Sequence, residues 1–218
     1  MSRQSCGTKS RMSALLVMLA LLIAVPGVVQ AQSPGFKETD KLISRSQSTI
    51  SQIRSTKLQT EATLDGYNAI IEGKVPDNRK AYKKLTKDIQ KCENQADKVG
   101  DRIASMQEAA SVYFSNWEAS IAAITSDDLR AKSESRLKDT QANYNEILKA
   151  AQKAGDEFKP FITNLHDQVT FLGHDLNPSA IADLQDEAAA LNKKGDKVFA
   201  AVDETIEVAS KYTNSLKP

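Results

Sequence analysis

Histidine and cysteine are the side chains here that could most readily bind a metal or act in catalysis, and they are few. The histidines are His166 and His174. Residues eight positions apart on a helix are about 80° apart around its axis, so these two would not share a face well. No Glu-x-x-His pattern accompanies them, and a zinc site needs a convergent set of ligands. We therefore predict no metal site and expect His174 to cap or hydrogen-bond a helix corner.

Cys92 could be a nucleophile, but its position favours burial. It lies three residues after Ile89 and four residues before Ala96, so the three side chains share one helix face. Buried structural thiols are unreactive. The other cysteine, Cys6, falls in a segment that we expect to be removed, so no intramolecular disulfide is expected either.

Three aromatic residues, Tyr113, Phe114 and Trp117, could form a ligand-binding box or a core layer near the end of a helical bundle. Their helical spacing favours the core layer. The sequence has no G-x-x-x-x-G-K-[ST] and no G-x-G-x-x-G pattern for holding phosphates. We predict no catalytic, cofactor-binding or metal-binding residues and no cofactor, and we expect a protein that is not an enzyme.

The first 31 residues have the features of a secretory signal peptide. Three basic residues and no acidic residue precede an unbroken apolar run over residues 14–25. A Pro-Gly break follows at residues 26–27, and residues 29–31 have the small-x-small form of a signal peptidase site. We expect cleavage after Ala31. An uncleaved anchor is the alternative, although residues 12–29 are at the lower limit of a ~17–25-residue span.

The charge balance argues against a nucleic-acid partner. The 218 residues include 29 Lys and Arg against 28 Asp and Glu. Without residues 1–31, which hold three of the basic residues, 26 basic and 28 acidic residues remain and the net charge is −2. Nucleic-acid-binding domains carry clustered positive charge. With only nine Gly and six Pro, a turn-rich β-sandwich is also disfavoured, and a helix-rich protein is expected.

Beyond residue 36 the dominant pattern is apolar residues alternately three and four positions apart. The longest run has thirteen positions, of which only Ser120 lacks apolar or amphipathic character. They are Tyr82, Leu85, Ile89, Cys92, Ala96, Val99, Ile103, Met106, Ala110, Tyr113, Trp117, Ser120 and Ile124. An average spacing of 3.5 residues keeps one face of a helix against its partners. The pattern predicts a continuous helix over about residues 77–124.

The next helix is predicted to begin after Ser126, whose hydroxyl can cap free backbone N–H groups. Its apolar spacing runs from Leu137 to Leu172 without losing phase at Pro160. Proline removes one helical hydrogen bond and clashes with the preceding turn. We therefore expect one bent helix across Pro160 rather than two helices, with Gly173 ending it.

The last helix is predicted to begin after Asn177, a good N-cap, with Pro178 in its first turn. Its apolar positions continue from Ile181 to about Leu216, and Gly195 should weaken it locally. The short stop-and-restart between the two helices requires them to be antiparallel neighbours.

The first helix after the signal peptide is the least clear. Its apolar positions are Ile43, Ile50, Ile53, Leu64, Tyr67 and Ile71. They are interrupted by Ser46, Lys57 and Thr60, and Ser and Thr are poor interior helix formers. A loop follows at Gly73, Pro76 and Asp77. We predict an all-α fold over residues 32–218: a single domain, an elongated antiparallel up-down-up-down four-helix bundle or coiled coil. A three-helix bundle with a frayed N-terminal arm is the alternative.

The segment 161–191, FITNLHDQVTFLGHDLNPSAIADLQDEAAAL, resembles a bacterial family of exported coiled-coil proteins catalogued as domain of unknown function 2959. The matching positions are Asp167-Gln168-Val169, Phe171-Leu172, His174, Leu176-Asn177, Ala180-Ile181 and Leu184. Segments 115–121 and 136–144 are similar too. The resemblance implies an envelope location and a coiled-coil fold. It implies no activity, so no functional residue is transferred from it.

Together these features favour a non-enzymatic structural or interaction protein of the bacterial cell envelope, periplasmic or secreted, acting as a rigid scaffold or spacer. The expected partner is an envelope protein or a second copy of the chain, with residues 174–178 as the contact surface, and no transmembrane span remains after signal cleavage. The alternative is a binding module that holds an apolar or metal ligand inside the bundle. It requires a cavity near Ala151, Ala154, Ala188 and Gly195.

Overall fold

The structure, a computed structural model, describes residues 34–217, so the predicted signal peptide over residues 1–31 lies outside the described residues. The described chain forms five helices: α1 (Pro34–Ile71), α2 (Asn78–Ala122), α3 (Asp127–His174), α4 (Pro178–Ala182) and α5 (Gln185–Ser215). Residues 34–217 contain no β-strand, so the predicted all-α class is confirmed. None of these helices combines the length and the apolar character that a membrane span requires.

The four long helices pack as a bundle in which each one has two neighbours. α1 and α3 both pack against α2 and against α5. Across α1 and α5, Asn68 hydrogen-bonds to Asn192 while Lys57 pairs with Asp203, so residue numbers rise along one helix as they fall along the other. The neighbours are therefore antiparallel. The predicted four-helix bundle is confirmed, and the three-helix alternative is wrong.

The many threonines of α1 do not break it, because their hydroxyls bond to the helix itself. The Oγ1 atoms of Thr49, Thr60 and Thr63 each lie 2.7 to 2.9 Å from the carbonyl oxygen four residues earlier. A hydroxyl satisfied in this way can be buried without the cost of an unpaired donor. Thr60 is 2% exposed, and Ser46 is 0% exposed although its hydroxyl has no hydrogen-bond partner among residues 34–217. Both positions therefore face the core and do not interrupt the apolar stripe of α1.

Capping residues fix the helix ends close to their predicted positions. α1 ends in a Schellman motif: the Lys74 N–H donates to the Ala69 carbonyl, the Gly73 N–H donates to the Ile70 carbonyl, and Gly73 takes a φ of 66°. Glycine tolerates this left-handed conformation at little cost. The side chains of Asp77 and Ser126 accept backbone hydrogen bonds at the starts of α2 and α3.

α3 continues as one helix through Pro160, as predicted, and ends one residue after Gly173. Proline is tolerated here at an exposed position, so the lost hydrogen bond is not buried. Gly173 has a second role, since a Cβ atom there would lie 2.5 Å from the Tyr82 hydroxyl on α2. A larger residue at this position would have to displace the Tyr82 side chain, which is only partly buried.

The prediction of one continuous last helix is wrong. Asn177 caps α4 as expected, its side chain accepting from the Ala180 N–H, but α4 ends at Ala182 and α5 begins at Gln185. A 3₁₀-type bond from the Leu184 N–H to the Ile181 carbonyl tightens the chain between them. The break lets α4 lie against α1 before α5 packs along both α1 and α3.

Near its C-terminus the buried face of α2 departs from the predicted pattern of apolar residues three and four positions apart. Leu85, Cys92 and Met106 are buried as expected, but Ile121 is buried where Ser120 was predicted to face the core. A straight helix has 3.6 residues per turn, so its buried face drifts from a strict 3.5-residue repeat over many turns.

Asp88, a position outside the predicted seam, is also buried. Burial opposes ionisation of this carboxyl, but hydrogen bonds from Lys84 and Lys91 outweigh it and hold its pKa below the usual value. The two lysine ammonium groups lie 2.6 and 2.8 Å from its oxygens.

The buried side chains form two separate clusters along the bundle. The first is larger and surrounds Tyr67, Phe161 and Leu191, toward the α1–α2 loop. The second surrounds Met106, Tyr144 and Tyr212 toward the other end. The predicted aromatic core layer belongs to the second cluster: Tyr113 and Phe114 pack against it, and the rings of Tyr113 and Trp117 lie 5.7 Å apart.

Buried hydroxyls in the two clusters differ in their hydrogen bonding. In the first cluster the Tyr67 hydroxyl donates to Gln168 Oε1, and Gln168 Nε2 donates to the Glu187 carbonyl. In the second, the Tyr144 and Tyr212 hydroxyls have no hydrogen-bond partner among residues 34–217. Burial raises the pKa of Tyr144 to about 12, so both phenols of the second cluster remain neutral at physiological pH.

This difference predicts opposite outcomes for two matched substitutions. Tyr67→Phe should lower the free energy of unfolding by about 1–2 kcal/mol, because it leaves the buried Gln168 oxygen unpaired. Tyr212→Phe should be neutral or raise it by up to about 1 kcal/mol, because it removes a buried hydroxyl that has no partner. Urea unfolding followed by circular dichroism measures both. An equal loss for the two variants would contradict the assigned hydrogen bonds.

Candidate functional site

A cavity of about 240 Å³ lies between the two core clusters. All four long helices line it, so it occupies the middle of the bundle. From α1 and α2 come Ile53, Thr56, Lys57, Thr60, Ala96, Val99, Gly100 and Ile103. From α3 and α5 come Ala151, Ala154, Gly155, Phe158, Val198, Phe199, Val202 and Thr205.

The cavity arises because small residues occupy the positions on α2 and α3 at one level along the bundle, where large apolar side chains would fill the interior. Ala96 and Gly100 on α2 are four residues apart, and so are Ala151 and Gly155 on the neighbouring α3. Ala96, Ala151 and Ala154 are only partly buried, although they belong to the apolar stripes that face the interior of the bundle. The larger apolar side chains beside them, such as Val99 and Phe158, are partly exposed as well. The interior at this level is therefore not filled by the protein's own side chains.

The polar residues of the cavity wall use their hydroxyls elsewhere. Thr56 Oγ1 lies 2.9 Å from the Gln52 carbonyl, and Thr60 Oγ1 lies 2.9 Å from the Thr56 carbonyl. Thr205 Oγ1 on α5 donates to the Ala201 carbonyl at 2.8 Å. Each threonine hydroxyl is thus bonded to its own helix. The wall is consequently apolar despite three hydroxyl-bearing residues.

Lys57 brings the one cationic group among the residues lining the cavity. Its Nζ lies 2.7 Å from both carboxylate oxygens of Asp203 and 3.5 Å from the Glu61 carboxylate. The hydrogen bond to Asp203 raises the pKa of Lys57, so the ammonium stays charged at physiological pH. Two carboxylates surround one ammonium, and the group as a whole is negative.

Two exposed glycines, one on α2 and one on α3, are among the residues that line the cavity. Gly100 on α2 and Gly155 on α3 are exposed, and a Cβ atom at either would meet no other group within 4 Å. Small residues spaced four apart usually let two helices approach closely, but here the space beside them is open. By contrast, a Cβ atom on Gly195 of α5 would lie 2.8 Å from Leu64 Cδ2 in the packed core.

The cavity is therefore lined by only two of the four residues that were predicted to surround it. Ala151 and Ala154 line it, as predicted. Ala188 and Gly195 do not, because they are buried in close packing within the first cluster's region. Gly100 and Gly155 were not identified from the sequence. The paired spacing of small residues at 96/100 and 151/155 is the signal that could have revealed them.

The residues considered for catalysis are each held in a different structural role. Cys92 is 0% exposed, as predicted, with its Sγ 3.1 Å from Thr63 Oγ1. Burial raises the pKa of the Cys92 thiol, and the Thr63 hydroxyl opposes this only in part. A thiol in this setting is a weak nucleophile.

The two histidines are not brought into one metal site. His166 Nε2 on α3 lies 2.8 Å from Glu93 Oε1 on α2. Among residues 34–217 no three His, Cys, Asp or Glu side chains gather as a metal site would require. The prediction that His174 supports the helix corner is wrong: the corner's hydrogen bonds are made by Asp175 to the backbone N–H and the side chain of Asn177.

The open space at the two glycines predicts that alanine is better tolerated there than glycine. Gly100→Ala and Gly155→Ala should each raise the free energy of unfolding by about 0.5–1 kcal/mol, because alanine restricts the unfolded chain and meets no obstacle. Gly195→Ala should lower it by about 1–3 kcal/mol, because it overpacks the core against Leu64. Urea unfolding of the three variants tests this. A loss of stability at Gly100 or Gly155 would mean that these positions are packed.

Comparison with curated proteins and with solved structures gives no match. A family model described as "Protein of unknown function (DUF2959)" matches residues 30–216, which include every helix described above. The resemblance noted in segment 161–191 therefore extends over nearly the whole chain, and the chain belongs to this family.

Proposed function

We propose that this chain is a non-enzymatic structural or interaction protein of the bacterial cell envelope, in which the helical bundle acts as a rigid scaffold or spacer. Export through a signal peptide cleaved after Ala31 would deliver residues 32–218 to the periplasm or the exterior. In support, residues 1–31 carry the charge pattern, apolar run and small-x-small site that secretion uses.

The observation that carries this proposal is the length over which the helices stay continuous and connected. α1, α2 and α3 contain 38, 45 and 48 residues, and the longest extends roughly 70 Å at ~1.5 Å per residue. Polar pairs tie neighbouring helices at several levels: Asn68 with Asn192, Lys57 with Asp203, and Lys153 with Glu204. Helices joined in this way keep their register, so a contact at one end is held at a fixed distance from the other.

The placement of the reactive side chains supports a role without catalysis. The Cys92 thiol faces the Thr63 hydroxyl inside the core, and His166 faces Glu93 on the bundle surface. Catalysis by a nucleophile needs the attacking group beside a base and open to a substrate. In the described residues these two groups make separate contacts, and neither Cys92 nor His166 is among the residues that line the cavity.

The contact surface that we propose lies at the α3–α4 corner, residues 174–178. Phe171 in the last turn of α3 is 45% exposed and lies three residues before His174, on the same face of the helix. An exposed aromatic side chain beside a polar corner is suited to contact with another protein. The partner is an envelope protein or a second copy of the chain.

Export predicts a defined N-terminus. In a bacterium that secretes the protein, the chain recovered from the envelope should begin at Gln32, as measured by mass spectrometry of its N-terminal peptide. Ala31→Leu should block cleavage, because signal peptidase requires a small residue there. Gln30→Leu is the matched control, since the middle position of small-x-small is unrestricted. Recovery of the wild-type chain with residues 1–31 still attached would contradict the proposal.

The contact surface predicts a position-dependent crosslink. A photoreactive phenylalanine analogue at Phe171 should form one discrete adduct in intact cells, identified by mass spectrometry. The same analogue at Leu129, which is 58% exposed at the opposite end of α3, should form none. Equal adducts at both positions, or none at Phe171, would argue against a contact at the corner.

A further inference from the structure

We infer that the cavity between the two core clusters binds an uncharged apolar molecule, such as a single aliphatic chain. This site lies beside the scaffold role and does not depend on it. The inference rests on the cavity's size, on the chemistry of its wall, and on the glycines at its opening.

The size of the cavity limits what can occupy it. Apolar cavities of ~150 Å³ bind benzene, and sites for drug-sized ligands begin at ~300 Å³. At about 240 Å³, this cavity is large enough for one ring system or one aliphatic chain. It is too small for a lipid with two chains to enter whole.

The wall is suited to hydrocarbon. Val99, Phe158, Phe199 and Val202 present apolar surface to the cavity while remaining partly exposed. The threonines of the wall donate their hydroxyls to carbonyls of their own helices, so they contribute methyl groups to the cavity surface. Covering this surface with an apolar molecule would remove it from water, which is favourable in proportion to the apolar area covered.

The charges near the cavity favour a ligand without a negative head group. Lys57 could attract a carboxylate or a phosphate, but Asp203 and Glu61 already surround its ammonium. An anionic head group would have to compete with these two carboxylates and would be repelled by them. A hydroxyl or a bare hydrocarbon end carries no such penalty.

The glycines provide an entrance. α2 and α3 carry Gly100 and Gly155 at the level of the cavity, and both face open space. Glycine inside a helix is less favourable than alanine, and no close packing accounts for either residue here. Leaving out both side chains keeps a passage between the two helices.

The test uses the full chain, expressed with its own N-terminal segment, and the uncharged fluorophore 1-aminoanthracene as the probe. The wild type should bind it saturably, with increased fluorescence, and decan-1-ol should displace it. Gly155→Leu places a side chain in the opening and should weaken binding by about tenfold or more. Gly100→Leu repeats this from α2, so the test still holds if one variant fails to fold.

Gly66→Leu is the matched control. Gly66 is also inside a long helix, and a Cβ atom there would meet no group within 4 Å, but it does not line the cavity. It should bind the probe within about twofold of the wild type. Circular dichroism confirms that each variant is helical. Decan-1-ol should raise the Tm of the wild type and of Gly66→Leu but not of Gly155→Leu.

Three results would overturn the inference. One is the absence of saturable binding by the wild type. Another is full binding by folded Gly155→Leu and Gly100→Leu. A third is an equal loss in Gly66→Leu, which would place the probe elsewhere. Decanoate at neutral pH tests the charge: weaker displacement than decan-1-ol is expected, and stronger displacement would contradict an uncharged ligand.

Discussion

The burial of one apolar stripe on each of four helices is the interaction on which the rest of this structure depends. Each stripe repeats about every 3.5 residues, so a helix can bury it only along its full length against parallel or antiparallel neighbours. Short loops leave the antiparallel arrangement as the available solution. The capping residues and the polar pairs then fix where helices begin and at what register they meet, but they do not supply the driving force.

The first helix shows how this constraint tolerates an unfavourable sequence. Serine and threonine favour caps and turns because their hydroxyls compete for backbone hydrogen bonds. In α1 the hydroxyls of Thr49, Thr60 and Thr63 instead bond to carbonyls of the helix itself. Thr49 and Thr56 also approach the Arg102 and Gln95 carbonyls of α2. A composition that argued against a stable helix thus joins α1 closely to α2.

Periodicity and end signals in the sequence were enough to predict most of the fold. The boundaries of α2 and α3, the burial of Cys92 and the passage of α3 through Pro160 all depend on local rules, which a sequence displays directly. The break between α4 and α5 does not. It depends on where the chain must turn to cover α1, and apolar residues such as Ile181 and Leu184 have the same spacing whether or not the helix pauses between them.

The cavity was harder to predict for a related reason. A small residue on the apolar stripe of a helix permits either close approach of two helices or a gap between them. Which of these occurs depends on the side chains of the facing helix. Ala188 and Gly195 lie where Leu64 and Phe161 fill the space, whereas Ala151 and Ala154 meet other small residues at the same level of the bundle. Which case applies depends on how the four helices are shifted along their axes relative to one another. That shift is set by contacts between residues far apart in sequence.

A bundle that serves only as a spacer has no physical reason to leave its centre unfilled. Larger side chains at the alanines of this level would bury more apolar surface, and alanine in place of the glycines would favour the helices. The protein instead has two buried clusters on either side of one open level, at which the threonine hydroxyls are already bonded to helix carbonyls. Stability is lower than the same fold could reach, and such a loss is expected where a site must accept another molecule. The cavity is consequently the feature of this bundle that rigidity alone does not explain.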